Sequence, residues 1–230
     1  MIKEVSLNNK KFSYYEEHLD IKELDPISPS DAEEILIKTT DLLDNVGIDS
    51  YLAFGTLLGA VREKDFIKGD LDVDIYVKDE DKLFTKLAYL EQNGLKLISA
   101  RVHRCYSFRL NNKCYIDVYI LRSIQNSLWG IYCYSLEGLY VPKKYFKEEG
   151  QIEFKNRIFK CAANPIKLLR FWYGSTWNIP IDKFDKEYYY EVKSHYYFRK
   201  FTDKIKILSK SIIGTKNYNK IKYYLNRSKK

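Results

Sequence analysis

The sequence predicts an α/β (α+β) fold, a mixed sheet flanked by helices with a helical C-terminal lobe. Three observations carry this reading. Short apolar runs with a period of two, such as those around Ile75 and Ile116, alternate with capped segments of helical period. Of the 230 residues, 45% are hydrophobic and 16% aromatic, enough for one good core with an appended lobe but not for two large domains. The final stretch spaces Ile205, Leu208, Ile212 and Ile213 as a helix does.

In chain order, Ser30 with Glu33 reads as a capping box that opens a helix carrying Ile35, Leu36, Leu42, Leu43 and Val46, closed by Gly47. Residues 50–54 form a short strand, and Gly55-Thr56 turns the chain into a helix running from Leu57 through Gly59 to Arg62. Asp70, Asp72 and Asp74 stand at alternate positions, with Leu71 and Val73 between them and Ile75-Tyr76-Val77 after them, so residues 70–77 read as a strand with one acidic and one apolar face. Asp79 caps a helix that continues through Leu83, Leu87 and Leu90 to Gly94. A strand over 95–110 is expected to pair, through an Asn111-Asn112 turn, with a strand over 113–121 whose one acid is Asp117. Residues 123–151, rich in tyrosine, have no clear period. Pro165 after Asn164 opens another helix.

The acids point to chemistry. Same-face neighbours on a strand are roughly 7 Å apart at the backbone, close enough for their side chains to converge on one hard cation. Without a cation they would raise one another's pKa and repel. Asp72 and Asp74, with Asp117 as third carboxylate if its strand lies alongside, are therefore expected to bind magnesium or manganese. If the strands are not adjacent, Arg101, Arg104 or Arg109 would neutralise Asp117 instead. Upstream, backbone amides at the Gly55–Gly59 strand-to-helix turn, the Thr56 hydroxyl and the Arg62 guanidinium are expected to hold phosphate. Asp70 and Asp117 are both candidates for the base that accepts a hydroxyl proton.

The order GTLLGAVR, from Gly55 to Arg62, followed by FIKGDLDVDIYV, from Phe66 to Val77, resembles the signature of the LicD family of phosphocholine transferases and of the related fukutin-related sugar-alcohol phosphate transferases. Two later stretches support the resemblance: residues 152–160, and the run from Asn164 to Gly174 with Trp177 and Pro180 after it. In all it spans residues 31–180. One departure is that Lys68-Gly69-Asp70-Leu71-Asp72 stands where family members usually read Pro-Trp-Asp-Asp-Asp. The resemblance implies a nucleotidyltransferase-like fold and a CDP-linked small alcohol as donor. It also implies transfer of a phospho-alcohol such as phosphocholine to a hydroxyl of a cell-surface glycan or lipid-linked precursor. Two other classes stay open: a nucleotidyltransferase proper, which would release pyrophosphate, and a non-catalytic module that binds anionic surfaces.

The net charge of +8 is unevenly spread. Residues 183–230 carry 14 Lys and Arg against 4 Asp and Glu, whereas residues 1–182 carry 25 against 27. The expected division is thus a catalytic domain over 1–182 and a basic, aromatic helical extension over 183–230, suited to peripheral contact with an anionic membrane. Nucleic acid is not expected as a partner, because no nucleic-acid motif accompanies this extension. Cys105, Cys114, Cys133 and Cys161 form no CxxC pair and are expected to be reduced and structural. His18, His103 and His195 are scattered and suggest no zinc site. No signal-peptide pattern follows Met1, and no apolar run reaches the roughly 18 residues a membrane span needs. A cytoplasmic location is expected, with the tail free to touch the inner face of the membrane.

Overall fold

Alternating caps and turns place the acidic segments at the middle of one sheet. The computed structural model describes residues 1–18, 24–111, 114–126, 131–137 and 139–180. The chain divides into two compact units, Met1–Arg170 and Phe171–Lys230. The expected basic extension from Lys183 onward lies outside the described residues, as does the boundary before it.

The first unit opens with a hairpin that the sequence reading did not assign, β1 (Ile2–Leu7) and β2 (Lys10–Tyr15). Asn8 and Asn9 reverse the chain at φ 47° and 64°, a left-handed pair that matches the twist of the flanking strands. Helix α1 (Pro29–Asn45) is capped by Ser28 rather than Ser30: the Asp31 amide donates to Ser28 Oγ at 3.1 Å. Proline favours the first helical position because its missing N–H is not needed there, so Pro29 moves the start forward. Gly47 closes α1 at φ 68°, as its position predicts.

Next come β3 (Ser50–Leu52), α2 (Phe54–Arg62) and β4 (Val73–Val77). The expected helix from Asp79 to Gly94 is two short ones, α3 (Glu80–Thr85) and α4 (Leu87–Gln92), interrupted at Lys86. Asp79 does cap the first, accepting the Lys82 amide at 2.8 Å, and Gly94 ends the second at φ 94°. The expected strand over 95–110 is a hairpin, β5 (Leu95–Arg101) and β6 (Cys105–Leu110), reversed through His103 at φ 66°. A single strand of that length would reach about three times the usual five or six residues. Strand β7 (Cys114–Ile120) follows Asn111, which has the expected positive φ of 52°.

The tyrosine-rich stretch is also β-structure. β8 (Arg122–Asn126), β9 (Ile131–Leu136) and β10 (Leu139–Pro142) form a separate three-stranded sheet, followed by a short 3-10 turn over Lys143–Tyr145. β11 (Glu149–Phe154) and β12 (Arg157–Ala162) form a hairpin across Lys155-Asn156. Helix α5 (Pro165–Tyr173) starts as expected at Asn164, whose Oδ1 accepts the Lys167 amide at 3.0 Å.

The main sheet has seven strands in the order β11-β12-β3-β4-β7-β6-β5. β4 runs parallel to β7 and antiparallel to β3, so the sheet is mixed, as predicted. Every residue of β4 and β7 is buried, which means both faces of the central pair are covered. Helix α1 packs on β3, β4 and β7, and α2 on β4. Side chains such as Ile75 and Ile116 are fully buried, each worth about 1.5–3 kcal/mol. A slip of one residue would exchange them with Asp74 and Asp117, so burial fixes the register that pairs the acids. No helix among the described residues is long and apolar enough to cross a membrane.

Candidate active site

Two carboxylates sit side by side at the centre of the sheet. Asp74 of β4 and Asp117 of β7 are partners in the parallel register, and neighbouring strands are only about 4.8 Å apart. Their exposures are 6% and 8%, so neither charge is well hydrated. The strands are therefore adjacent, which was the condition for Asp117 to join Asp74. Burial pushes the Asp74 carboxyl well above its ordinary range, and the charges of Asp72, Asp70 and Asp117 push it further, against the Gly55 amide. Burial also raises Asp117, opposed by hydrogen bonds from Ser107 and Tyr119.

Asp70 and Asp72 are not on the strand as expected. β4 begins at Val73, and both acids lie in the loop before it. The β3 ladder ends at Leu52 opposite Ile75, so residues 70–72 find their partners elsewhere. The Ile27 amide donates to the Asp70 carbonyl at 2.8 Å, and the Leu71 amide donates to Asp70 Oδ1 at 3.1 Å. The loop still brings Asp70 to the same place: its Oδ2 and Asp74 Oδ2 lie 2.6 Å and 3.1 Å from the position a Cβ on Gly55 would take. Tyr115, two residues before Asp117 on the same face of β7, hydrogen-bonds Asp72.

The start of α2 is built around Asp74. The turn expected at Gly55-Thr56 lies one residue earlier, where Phe54 adopts φ 32°, a costly conformation for a large side chain. Its ring packs edge-on against Tyr119 at 4.9 Å. The Gly55 amide donates to Asp74 Oδ2 at 2.9 Å, and the Asp74 amide donates to Thr56 Oγ1 at 2.8 Å. Gly55 and Thr56, read from the sequence as phosphate holders, are thus engaged in fixing Asp74 at a helix N-terminus, where negative charge is favoured. A Cβ on Gly55 would lie 2.6 Å from Asp70 Oδ2 and 3.1 Å from Asp74 Oδ2. Glycine is required there by the approach of the acids. A Cβ on Gly59 would lie 2.5 Å from the Asp65 carbonyl oxygen, which gives that glycine a packing role. Arg62 is in the last turn, about 10 Å along the axis from Gly55, and its Nη2 pairs with Glu63 at 2.5 Å.

Sequence reasoning missed Ser107 and Tyr119. Ser107 lies opposite Asp117 in the β6–β7 ladder, and its hydroxyl donates to Asp117 Oδ1 at 2.5 Å. The Tyr119 hydroxyl donates to Oδ2 at 3.1 Å. Period two on β7 places Tyr115, Asp117 and Tyr119 on one face, a signal that could have found the tyrosines; Ser107 needed the β6–β7 register. The arginines proposed as alternative partners of Asp117 are paired elsewhere, Arg109 with Glu17 at 2.7 Å and Arg101 and Arg104 with Glu137.

An all-carboxylate donor set suits magnesium or manganese. Burial and the charges of Asp72, Asp70 and Asp117 disfavour the ionised form of Asp74 more than the Gly55 amide favours it, a cost that a divalent ion relieves. Among the described residues, no three acidic, histidine or cysteine side chains are already drawn together as metal ligands. The fit therefore rests on the paired positions of the acids and on their electrostatics.

A model of the LicD/FKTN/FKRP family, described as a nucleotidyltransferase domain, matches residues 47–180, more than half of the chain. No curated protein matches. Among solved structures, the lincosamide antibiotic adenylyltransferase LnuA with lincomycin bound is 15% identical, covering 63% of this chain and 85% of its own, with a TM-score of 0.44. The antibiotic-resistance factor ANT(2'')-Ia, in solution, is 10% identical over 87% of this chain and all of its own, with a TM-score of 0.45. ANT(2")-Ia in complex with adenylyl-2"-tobramycin is 12% identical over 70% of this chain and 87% of its own, with a TM-score of 0.44.

Proposed function

The chain belongs to the LicD/FKTN/FKRP nucleotidyltransferase-domain family, a family of transferases, and from that premise we propose that it moves a phospho-alcohol, phosphocholine or a similar group, from a CDP-linked donor to a hydroxyl of a cell-surface glycan or its precursor. The observation that carries this reading is the pairing of Asp74 and Asp117 on adjacent parallel strands, at the N-terminus of α2 and beside the loop bearing Asp70 and Asp72. Asp72, Asp74 and Asp117 would hold magnesium or manganese. When bound, the ion supplies charge neutralisation for the donor's diphosphate.

The chain's own residues have three tasks. Gly55 and Thr56 keep Asp74 aimed, through the amide on Oδ2 and the hydroxyl under its backbone. Ser107 and Tyr119 fix both oxygens of Asp117, so each acid presents a set geometry and little reorganises during reaction. Asp70 or Asp117 accepts the proton of the attacking hydroxyl as oxygen forms its bond to the distal phosphorus and CMP leaves. Arg62 is the proposed contact for donor phosphate.

The test is incubation with a panel of CDP-alcohols and magnesium, following CMP release with and without candidate glycans. Acceptor-dependent CMP release is expected, with Asp74→Asn lowering it at least about a hundredfold. Pyrophosphate released from a nucleoside triphosphate instead would make the protein a nucleotidyltransferase. Full activity in excess chelator would remove the metal from the mechanism.

A further inference from the structure

Two guanidinium groups converge on one carboxylate oxygen near the acids. Arg101 Nη1 and Arg104 Nη2 donate to Glu137 Oε1 at 2.7 Å and 2.6 Å, and Arg104 Nη2 also reaches the Glu137 carbonyl oxygen at 3.3 Å. The other carboxylate oxygen, Oε2, is buried and has no hydrogen-bond partner among the described residues. At the contact itself two cations meet one anion, with Asp117 the next negative charge that Arg101 feels. The contact is unbalanced in donors as well, since each guanidinium has five N–H groups and one oxygen can use few of them. The two arginine side chains remain 46% and 51% exposed, so their unused donors are accessible.

Position links this cluster to the catalytic acids. Arg101 lies opposite Cys105, and Cys105 opposite Tyr119, so the arginine occupies the sheet face of Tyr119 and Asp117, two strands away. Its charge is felt at Asp117. Glu137 comes from the end of β9 in the separate three-stranded sheet and holds a φ of 49°. It meets Arg101 through its side chain and Arg104 through side chain and carbonyl oxygen, and since it belongs to another element its carboxylate can turn away without breaking a strand ladder of the main sheet.

We propose that Arg101 and Arg104 form a phosphate-oxyanion subsite beside the acid pair, and that Glu137 occupies it as a carboxylate stand-in until a phosphate group replaces it. A phosphate offers three oxygens in a geometry that two planar forks can share. The subsite adds to the transfer reading the place where a second phosphate, farther from Asp74, is held. Its ligand is a diphosphate or phosphomonoester, from the CDP-linked donor or from a phosphorylated acceptor.

Inorganic pyrophosphate binding to the full chain, measured by calorimetry without metal, tests the subsite. Arg101→Met and Arg104→Met should each weaken binding about tenfold, the loss of one charge-assisted contact. Glu137→Gln should strengthen it about as much by releasing the arginines. Arg101→Lys, with circular dichroism to confirm folding, should fall between parent and Arg101→Met. Displacement of pyrophosphate by CDP-choline would mark the donor as source, and displacement by a sugar 1-phosphate the acceptor. Weaker binding in Glu137→Gln, unchanged binding in both methionine variants, or displacement by neither compound would overturn the proposal. The measurement needs neither metal nor turnover, so a protein that released no CMP would sink the transfer reading and leave this one standing.

Discussion

A carboxylate held above its ordinary pKa takes up a proton in the folded state at a pH where the unfolded chain does not. For Asp74, raised by burial and then by Asp72, Asp70 and Asp117, the cost to stability is complete above the folded value and fades as pH falls toward the unfolded one. Without metal, Asp74→Asn is therefore expected to melt higher than the parent at pH 7.5, with a difference that shrinks as the pH is lowered to about 4. Asparagine keeps an oxygen for the Gly55 amide, so the comparison isolates the charge. A relief of about 1 kcal/mol would appear as roughly 2–4 °C in a thermal melt, and millimolar magnesium should reverse the order. A difference that ignores both pH and magnesium would mean that the acids do not form an uncompensated cluster. Gly55→Ala tests the same crowding sterically: its Cβ would press on Asp70 Oδ2 and Asp74 Oδ2, so manganese affinity and turnover should fall while the helix, for which alanine is the better residue, survives by circular dichroism.

At the level of elements, Asp117 depends on a strand other than its own. Ser107→Ala removes one of two hydroxyls that position it and should weaken manganese binding about 10- to 100-fold, the usual effect of losing an outer-shell partner, with Ser107→Thr restoring much of it. Equal affinity in the alanine variant would show that the β7 backbone alone places Asp117. Gly59→Ala should behave differently: its Cβ meets the backbone oxygen of Asp65, so about 1–3 kcal/mol of stability should be lost, read by urea unfolding. These contrasts show what the sequence made legible. Asp74, Asp117, the Asp79 and Asn164 caps and the closing glycines Gly47 and Gly94 were readable because each rests on local chemistry: a charge in an apolar run, a side chain bonding an amide three residues on, a left-handed backbone. The break at Lys86 and the hairpin at His103 were not, because no glycine, proline or asparagine marks either, and the retreat of Asp70 and Asp72 from β4 depends on where the β3 ladder ends. Ser107 joined the site through register alone. The Asn8-Asn9 hairpin was visible in principle as a two-residue turn between period-two strands.

Taken whole, the chain separates its charges: the basic excess lies after residue 182 and the remainder is nearly neutral. If the basic end serves a lipid-linked acceptor, the full chain should sediment with anionic vesicles and not with neutral ones. That binding should fall steeply as salt rises, since attraction is screened over roughly 8 Å at physiological ionic strength. Removing the chain from Lys216 onward should weaken it and spare turnover on a short soluble acceptor; equal sedimentation with both vesicle types would end the membrane reading. The topology of the main sheet has a further consequence, for the order in which the protein can be made. Asp74 has no Asp117 beside it until β5, β6 and β7 have left the ribosome, and β3 keeps an open hydrogen-bonding edge until β12 arrives to place Lys160 opposite Tyr51. The nascent chain thus exposes a short, apolar strand edge for nearly half of its synthesis, from β3 to β12, the kind of edge that recruits wrong partners. Expression at lower temperature or with chaperones should raise the soluble yield more than any change at the acids themselves.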